Sequence, residues 1–207
     1  MSRIAIIGTG RMARALGAGW QRAGHLVLFG SRAPGQRRDI QQELGPEVRI
    51  HGAQGAISGG EIVVLALPFK SVEAFAREHA GLLRDRPVVD ISNPFDNLPD
   101  NRTAGAEITA RAIGQGGRVI AAFKDNFYET LLDARDSSGL QRDVHYAGDD
   151  EEGKAMLARL VEDLGLRPVD CGPLRNARVL DGMVPLMIEL DGILAGGGRR
   201  SSWKFLG

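Results

Sequence analysis

Two short stretches of this 207-residue chain combine residue types and spacing that can do chemistry. The first is Gly8-Thr9-Gly10-Arg11-Met12-Ala13. Gly8 permits a tight turn. Gly10 has no Cβ, so an anion can approach its backbone, and small Ala13 lets the following helix pack on its strand. Free N–H groups and the positive dipole end at the start of that helix suit a pyrophosphate. The second stretch is Phe29-Gly30-Ser31-Arg32. An NAD site usually carries an acid here, bonded to the ribose hydroxyls. This chain has none. Ser31 instead offers a hydrogen bond, and Arg32 a charge-assisted fork, to a 2′-phosphate. Arg37 and Arg38 add positive potential. Together the stretches predict an NADP(H) site built on Gly8, Thr9, Gly10, Arg11, Met12, Ser31 and Arg32.

A G-x-G-x-x-A pattern carries this meaning only between a strand and a helix. The apolar run Ile4 to Ile7 reads as a buried strand. Met12, Leu16 and Trp20 recur on one helical face. A turn at Ala23-Gly24 leads to a second strand, His25 to Phe29. Further on come a short helix around Asp39 to Leu44, a strand at Val48 to His51, and a short helix and turn over Ala53 to Gly60. Glu61 to Leu67 is apolar on both faces, as a central parallel strand should be, and Pro68 stops it. A helix over Phe69 to Leu83, a strand at Pro87 to Ile91, a helix over Thr103 to Ile113 and a strand at Val119 to Phe123 follow. Strands alternating with helices predict an α/β fold, a doubly wound Rossmann-type parallel sheet with a small C-terminal helical and strand extension. Residues 1–172 would form the NADP-binding domain. Residues 173–207 would add a helix and tail for dimerisation or the substrate pocket, without forming an independent domain.

In such a sheet the ligand lies outside the carboxyl ends of the strands. That rule brings together Gly8 to Ala13, Ala66 to Phe69 and Ile91 to Pro94. The last two would flank the nicotinamide, with Pro68 orienting the Leu67 carbonyl or simply ending the strand. Asn93 would bond the carboxamide or a ribose hydroxyl, or serve only as a turn residue before proline.

Composition narrows the class. Hydrophobic residues are 43% and charged residues 25%, with Lys and Arg exactly balanced by Asp and Glu. Neutrality gives no field for nucleic acid or an acidic membrane. No apolar stretch is long enough to span a bilayer. The early first strand leaves no room for a signal peptide. One cysteine, Cys171, allows no intrachain disulfide and no multi-cysteine metal site. The expected location is cytoplasmic.

Beyond Phe123 the chain changes character. Val144 to Ala147 is a short strand. Gly148-Asp149-Asp150-Glu151-Glu152 opens a helix that continues over Ala155 to Leu164, its acids suited to the dipole. Arg167 to Asp170 is a last strand. Val179, Met183, Leu186, Met187, Leu190 and Leu194 then recur at helical spacing. Leu180, Val184 and Ile193 make this helix apolar nearly all round, so it needs more than one partner surface. A dimer interface is the leading expectation. Gly196-Gly197-Gly198-Arg199-Arg200 reads as a flexible basic tail, with Trp203 and Phe205 anchoring the terminus or joining a pocket.

Four segments give the chain a family likeness: Ile7 to Ala13, Gly30-Ser31-Arg32, Gly148-Asp149-Asp150, and Gly165-Leu166-Arg167-Pro168-Val169-Asp170-Cys171-Gly172-Pro173-Leu174. Nothing in a generic Rossmann domain requires the last. The chain resembles the deazaflavin-dependent NADP oxidoreductases, 8-hydroxy-5-deazaflavin:NADPH oxidoreductase and its bacterial relatives. The closing Trp203-Lys204-Phe205-Leu206 is similar too. The resemblance implies a homodimer that binds NADP(H) and passes a hydride directly to a planar acceptor such as a deazaflavin or flavin. Protein groups then supply mainly orientation and electrostatics. One departure stands out: Lys124 occupies a position where archaeal members have histidine and many bacterial relatives asparagine. A lysine there would hold an anionic acceptor, donate a proton, or simply face solvent. His25, His51, His79 and His145 read as structural or surface residues, and Cys171 as a packing residue. No catalytic side chain is assigned. Two other readings compete: an NADPH-dependent imine or carbonyl reductase, and a non-catalytic NADPH-sensing module. The second would have Trp203, Phe205 and Phe127 blocking the nicotinamide face.

Overall fold

A computed structural model describes residues 1–95 and 102–206. Eight strands form one sheet in the order β3-β2-β1-β4-β5-β6-β7-β8. They are β1 (Arg3–Ile7), β2 (Leu26–Gly30), β3 (Arg49–His51), β4 (Ile62–Leu65), β5 (Pro87–Asp90), β6 (Arg118–Ala122), β7 (Asp143–Gly148) and β8 (Arg167–Asp170). The first six are parallel, as the alternating pattern predicts. β7 runs antiparallel to β6, and β8 parallel to β7. The reversal follows from the connection: between β6 and β7 the helical residues are a single turn, Tyr128–Thr130. A parallel crossover needs a longer element.

β1, β4 and β5 are buried along nearly their whole length, and alternate residues feed two apolar cores. One core holds Ile4, Ile6, Leu16, Trp20 and Phe29; the other holds Ala5, Ile7, Val63, Leu65 and Val88. Helix α1 (Arg11–Arg22) covers the first. At its Gly17 a Cβ would come within 2.5 Å of the Phe29 ring. Ala13 is buried as expected, and Gly17 too leaves no room for a side chain against Phe29.

The remaining helices are α2 (Arg38–Leu44), α3 (Ala53–Gly59), α4 (Phe69–Glu78), α5 (Ala80–Leu83), α6 (Gly105–Ile113), α7 (Glu151–Asp163) and α8 (Ala177–Leu194). The helix expected over Phe69 to Leu83 breaks at His79 into α4 and α5. There the His79 ring stacks on Phe75 and its Nδ1 lies 3.1 Å from the Phe75 carbonyl oxygen. β4 ends two residues before the expected Leu67, because Ala66 and Leu67 leave the sheet for the ligand side.

The likeness motifs serve the fold around β7 and β8. Asp149 accepts the Leu174 amide at 3.0 Å, and the Gly148 amide reaches the Gly172 carbonyl. Asp150 accepts two bonds from Arg118 of β6. Lys154 of α7 reaches Asp170 at 3.0 Å.

Candidate active site

A cleft of about 800 Å³ opens at the carboxyl ends of the parallel strands. Gly10, Arg11, Met12, Leu67, Pro68 and Asn93 line it, so the three predicted loops meet there. Gly8 adopts φ +121°, and a Cβ on it would sit against the Ala66 carbonyl oxygen. Its amide bonds the Gly30 carbonyl, joining the turn to the end of β2. Gly10 differs: a Cβ there meets no protein atom within 4 Å. The space beside it is cleft, as a site for a pyrophosphate requires. α1 has no side-chain cap and no acid in its first turn, so its positive end is unblocked.

Gly8, Thr9, Ser31 and Arg32 stand beside the cleft rather than lining it. The Ser31 hydroxyl accepts the Ala33 amide at 3.2 Å. Arg32 is exposed and makes no ion pair or hydrogen bond among the described residues. The Thr9 hydroxyl accepts a bond from Arg37 at 2.8 Å, which ties the glycine turn to the segment after β2. Arg14 pairs with Asp39 and Glu43 of α2 and donates to the Thr9 carbonyl. Two acids are thereby engaged, leaving Arg32 an exposed cation at the end of β2. A dinucleotide carrying a 2′-phosphate fits these residues.

The opposite wall joins Asn126, Tyr128 and Glu129 of the β6–β7 connection, which the sequence did not nominate, to Val184 and Ile188 of α8 and Arg199 of the tail, within the segment expected to serve dimerisation or the pocket. Arg11 crosses to this wall, bonding the Tyr128 hydroxyl at 3.1 Å. Asn93 Oδ1, Asn126 Oδ1 and Glu129 Oε2 are buried without a hydrogen-bond partner. Phe127 and Val184, which line the cleft, pack on Met187 and Trp203 behind it, and the Trp203 indole donates to the Met183 carbonyl. Phe205 is exposed and held through its backbone by Asp143 and Arg167. Phe127 therefore borders an open cavity instead of closing it.

Lys124 corrects the sequence reading. It neither faces solvent nor lines the cleft; it is fully buried. Its Nζ donates to the Ser92 carbonyl and lies 3.2 Å from Asp181 of α8 and 3.6 Å from Asp90 of β5. Asp90 also accepts from Ser92 and from Thr109, and Asp181 from the Gly105 amide. Phe123 turns the chain inward with a left-handed φ of +54°. Such a backbone in a bulky residue is held by its surroundings; here they include a T-shaped contact with Trp20. Lys124 thus ties three cleft-bearing segments together from behind.

His145 is likewise no isolated histidine. It is buried on β7 with Nδ1 2.6 Å from Asp125. Burial alone would lower its pKa, but the Asp125 hydrogen bond and charge outweigh that and hold it above the usual histidine value. The tail is tied down too. Buried Asp191 accepts the amides of Arg199, Arg200 and Ser201 and the Ser201 hydroxyl. Buried Asp143 accepts from Arg167, Lys204 and the Phe205 amide. Despite burial, those three donors lower its carboxyl pKa to about 2.

A glycine turn, an uncapped helix start and a cleft at the switch of strand order define a dinucleotide-binding protein of Rossmann type. Residues 3–94 match the family model of the coenzyme F420-dependent NADP oxidoreductases. An F420-dependent NADP reductase of Methanothermobacter thermautotrophicus is 28% identical over 208 residues, covering 91% of this chain and 89% of that one. One from Methanocaldococcus jannaschii is 26% identical, covering 80% and 81%. A crystal structure from Arthrobacter sp. FB24, provisionally described as an F420-dependent NADP reductase, superposes with a TM-score of 0.89 at 25% identity over the whole of both chains. A Streptomyces aurantiacus imine reductase (TM-score 0.69, 16% identity, 91% of this chain and 61% of that one) shares the fold alone. The chain is thus similar to the coenzyme F420-dependent NADP oxidoreductases, by the family model over residues 3–94 and by these relatives over most of its length.

Proposed function

We propose that the protein is an NADP(H)-dependent oxidoreductase that transfers a hydride directly between the nicotinamide and a planar acceptor of the deazaflavin or flavin type. The observation that carries this reading is the open cleft: its β1 wall suits a dinucleotide, and its α8 wall leaves room for a second planar molecule. The relatives that cover most of this chain are F420-dependent NADP reductases. NADP(H), when bound, supplies the reacting carbon and its hydride. The chain positions the two molecules. The first amides of α1 bind the pyrophosphate. Ser31 and Arg32 bind the 2′-phosphate. Leu67, Pro68 and Asn93 hold the nicotinamide end, and Phe127, Val184 and Ile188 keep water from the acceptor face.

The protein acts as a cytoplasmic homodimer in this reading, with no nucleic acid or membrane partner. Residues 173–207 are its dimerisation and pocket segment, not a separate domain. Supporting the dimer, α8 buries Leu180, Val184 and Met187 yet leaves Val179, Leu186 and Ile193 exposed. Light scattering of the wild type and of Leu186→Glu measures it: a dimer that becomes a monomer is expected. Among the described residues, no helix is long and apolar enough to cross a membrane.

The test of the activity is NADPH oxidation with the deazaflavin, free flavins, a quinone, a cyclic imine and an aldehyde, with NADPH binding titrated on the same sample. Turnover confined to planar ring acceptors is expected. Tight NADPH binding with no turnover on any of them would sink the reading.

A further inference from the structure

Asp90, Asp125, Asp143, Asp181 and Asp191 are buried, and each has a hydrogen-bond partner. Glu129 is the contrast. It lines the cleft, half-buried, and its carboxylate makes no hydrogen bond or ion pair among the described residues. Its Oε2 is buried outright. Arg11 reaches the neighbouring Tyr128, bonding its hydroxyl at 3.1 Å, and leaves Glu129 unpaired. The turn beneath Glu129 is pinned. The Thr130 amide and hydroxyl both donate to the Phe127 carbonyl, at 3.1 and 3.0 Å. Asn126 Nδ2 donates to the Asp143 carbonyl at 2.9 Å. A carboxylate without donors on a fixed turn, one oxygen out of water, costs free energy that a ligand's N–H or O–H would recover.

Two ligand donors could meet it, a hydroxyl of the cofactor or a ring N–H of the acceptor. The dinucleotide side of the cleft is built on Gly10, Leu67, Pro68 and Asn93, whereas Glu129 shares its turn with Phe127 on the acceptor side. Direct hydride transfer also leaves a proton to be moved. A neutral ring that accepts a hydride must gain a proton, and must lose it again when the hydride departs. Phe127, Val184 and Ile188 shield that face from water, so the wall itself has to carry the proton. Of the titratable types lining the cleft among the described residues, arginine, lysine, tyrosine and glutamate, glutamate is the one that acts as a general base in its ordinary charge state.

We propose that Glu129 is the base that takes the ring N–H proton of the reduced acceptor as its hydride leaves for the nicotinamide, and that it returns this proton in the opposite direction. This rests on the reading of the cleft as a hydride-transfer site. Toward NADPH, the acceptor's ring C–H or N–H bond breaks and its hydrogen leaves with both electrons, forming the new C–H bond on the nicotinamide. Glu129 removes the proton from a conjugated ring nitrogen, and the electron pair of that N–H bond restores the oxidised ring. The acceptor is oxidised, NADP⁺ is reduced, and the proton passes from the carboxyl to solvent.

The experiment follows hydride transfer in anaerobic stopped flow, with riboflavin and with 8-hydroxy-5-deazaflavin carrying a ribityl chain, for the wild type, Glu129→Gln and Glu129→Ala. Both variants should slow the transfer about a hundredfold and leave the Kd for NADPH unchanged. Formate should restore part of the rate of Glu129→Ala, in proportion to its concentration, and none of that of Glu129→Gln. Calorimetry on unreactive pairs supplies a readout without turnover: reduced acceptor with NADPH, and oxidised acceptor with NADP⁺. Glu129→Ala should weaken binding of the reduced acceptor, which carries the N–H, about tenfold and leave the oxidised one unchanged. Wild-type rates in Glu129→Gln overturn the proposal, as does the absence of formate rescue. A loss confined to NADPH affinity also overturns it, giving the carboxylate to a cofactor hydroxyl. All three leave the oxidoreductase reading intact. A wild type that transfers no hydride to either ring overturns that reading, and this proposal with it.

Discussion

On the β1 side of the cleft, Gly8 to Met12 reach their places as one uninterrupted run between a strand and a helix. On the α8 side, Asn126, Val184 and Arg199 come from three distant segments and are held by charges that never touch the cleft. The first wall relies on backbone geometry: a left-handed glycine, an open glycine and an uncapped helix. The second relies on buried carboxylates, with Asp181 and Asp90 on Lys124, Asp191 under the tail turn and Asp143 under Lys204. A geometric wall is rigid and can be shared by many proteins that bind one cofactor. A wall assembled by side chains can be re-cut for a new acceptor without touching the cofactor half.

The comparison breaks most readily at Lys124. Lys124→Met leaves Asp90 and Asp181 buried without their counter-ion. It should cost about 3–5 kcal/mol in urea unfolding, the usual range for breaking a buried pair. Adding Asp181→Asn should restore part of that. Additive losses would mean that the ion pair does not hold the wall.

The two motif glycines sharpen the contrast next. Gly8→Ala forces a Cβ onto the Ala66 carbonyl at a left-handed φ and should destabilise the fold by more than about 2 kcal/mol. The Cβ of Gly10→Val meets no protein atom within 4 Å, so the variant should leave the unfolding midpoint within experimental error, yet abolish NADPH binding. Normal NADPH affinity in folded Gly10→Val would show that the turn is not the pyrophosphate site.

Arg32→Ala should weaken NADPH binding by ~1–3 kcal/mol and leave NADH nearly unchanged, with no loss of stability, since Arg32 is exposed. Titration of both cofactors checks it, and equal losses for both remove Arg32 from the 2′-phosphate.

The smallest effect is in pH. Asp143 has a folded pKa lowered to about 2, beneath its ordinary value of 3.8. Its contribution is therefore complete above about pH 4 and is lost as pH falls toward 2. The tail should loosen in that window, shifting the Trp203 indole N–H resonance before the β1 half melts. Simultaneous loss of both halves would make them one cooperative unit.

Much of the β1 wall was legible because its determinants are local. Glycines at fixed spacing, an apolar run before them and a missing acid after β2 each act within about 30 residues of Arg3. Pro68 and Asn93 were legible by rule, since parallel strands deliver their carboxyl ends to one edge. Lys124 misled because an isolated lysine in a loop is ordinarily solvated. Its partners Asp90 and Asp181 lie on a strand and a helix that only the fold brings near. The pairing of His145 with Asp125 and the anchoring of the tail by Asp191 were hidden for the same reason.

The residues alone thus determined the alternation of strands and helices, the glycine turn after β1, the absence of an acid beside Ser31 and Arg32 at the end of β2, and the family likeness. Each is a matter of short-range backbone geometry or of one residue type at one place. Only the tertiary structure decided that β7 reverses, that Lys124 is internal, and that the tail turns back to carry Arg199 to the cleft. The last two outcomes depend on pairing charges buried across the chain. Such a charge is stable only where its counter-ion arrives, and no spacing along the sequence records that arrival.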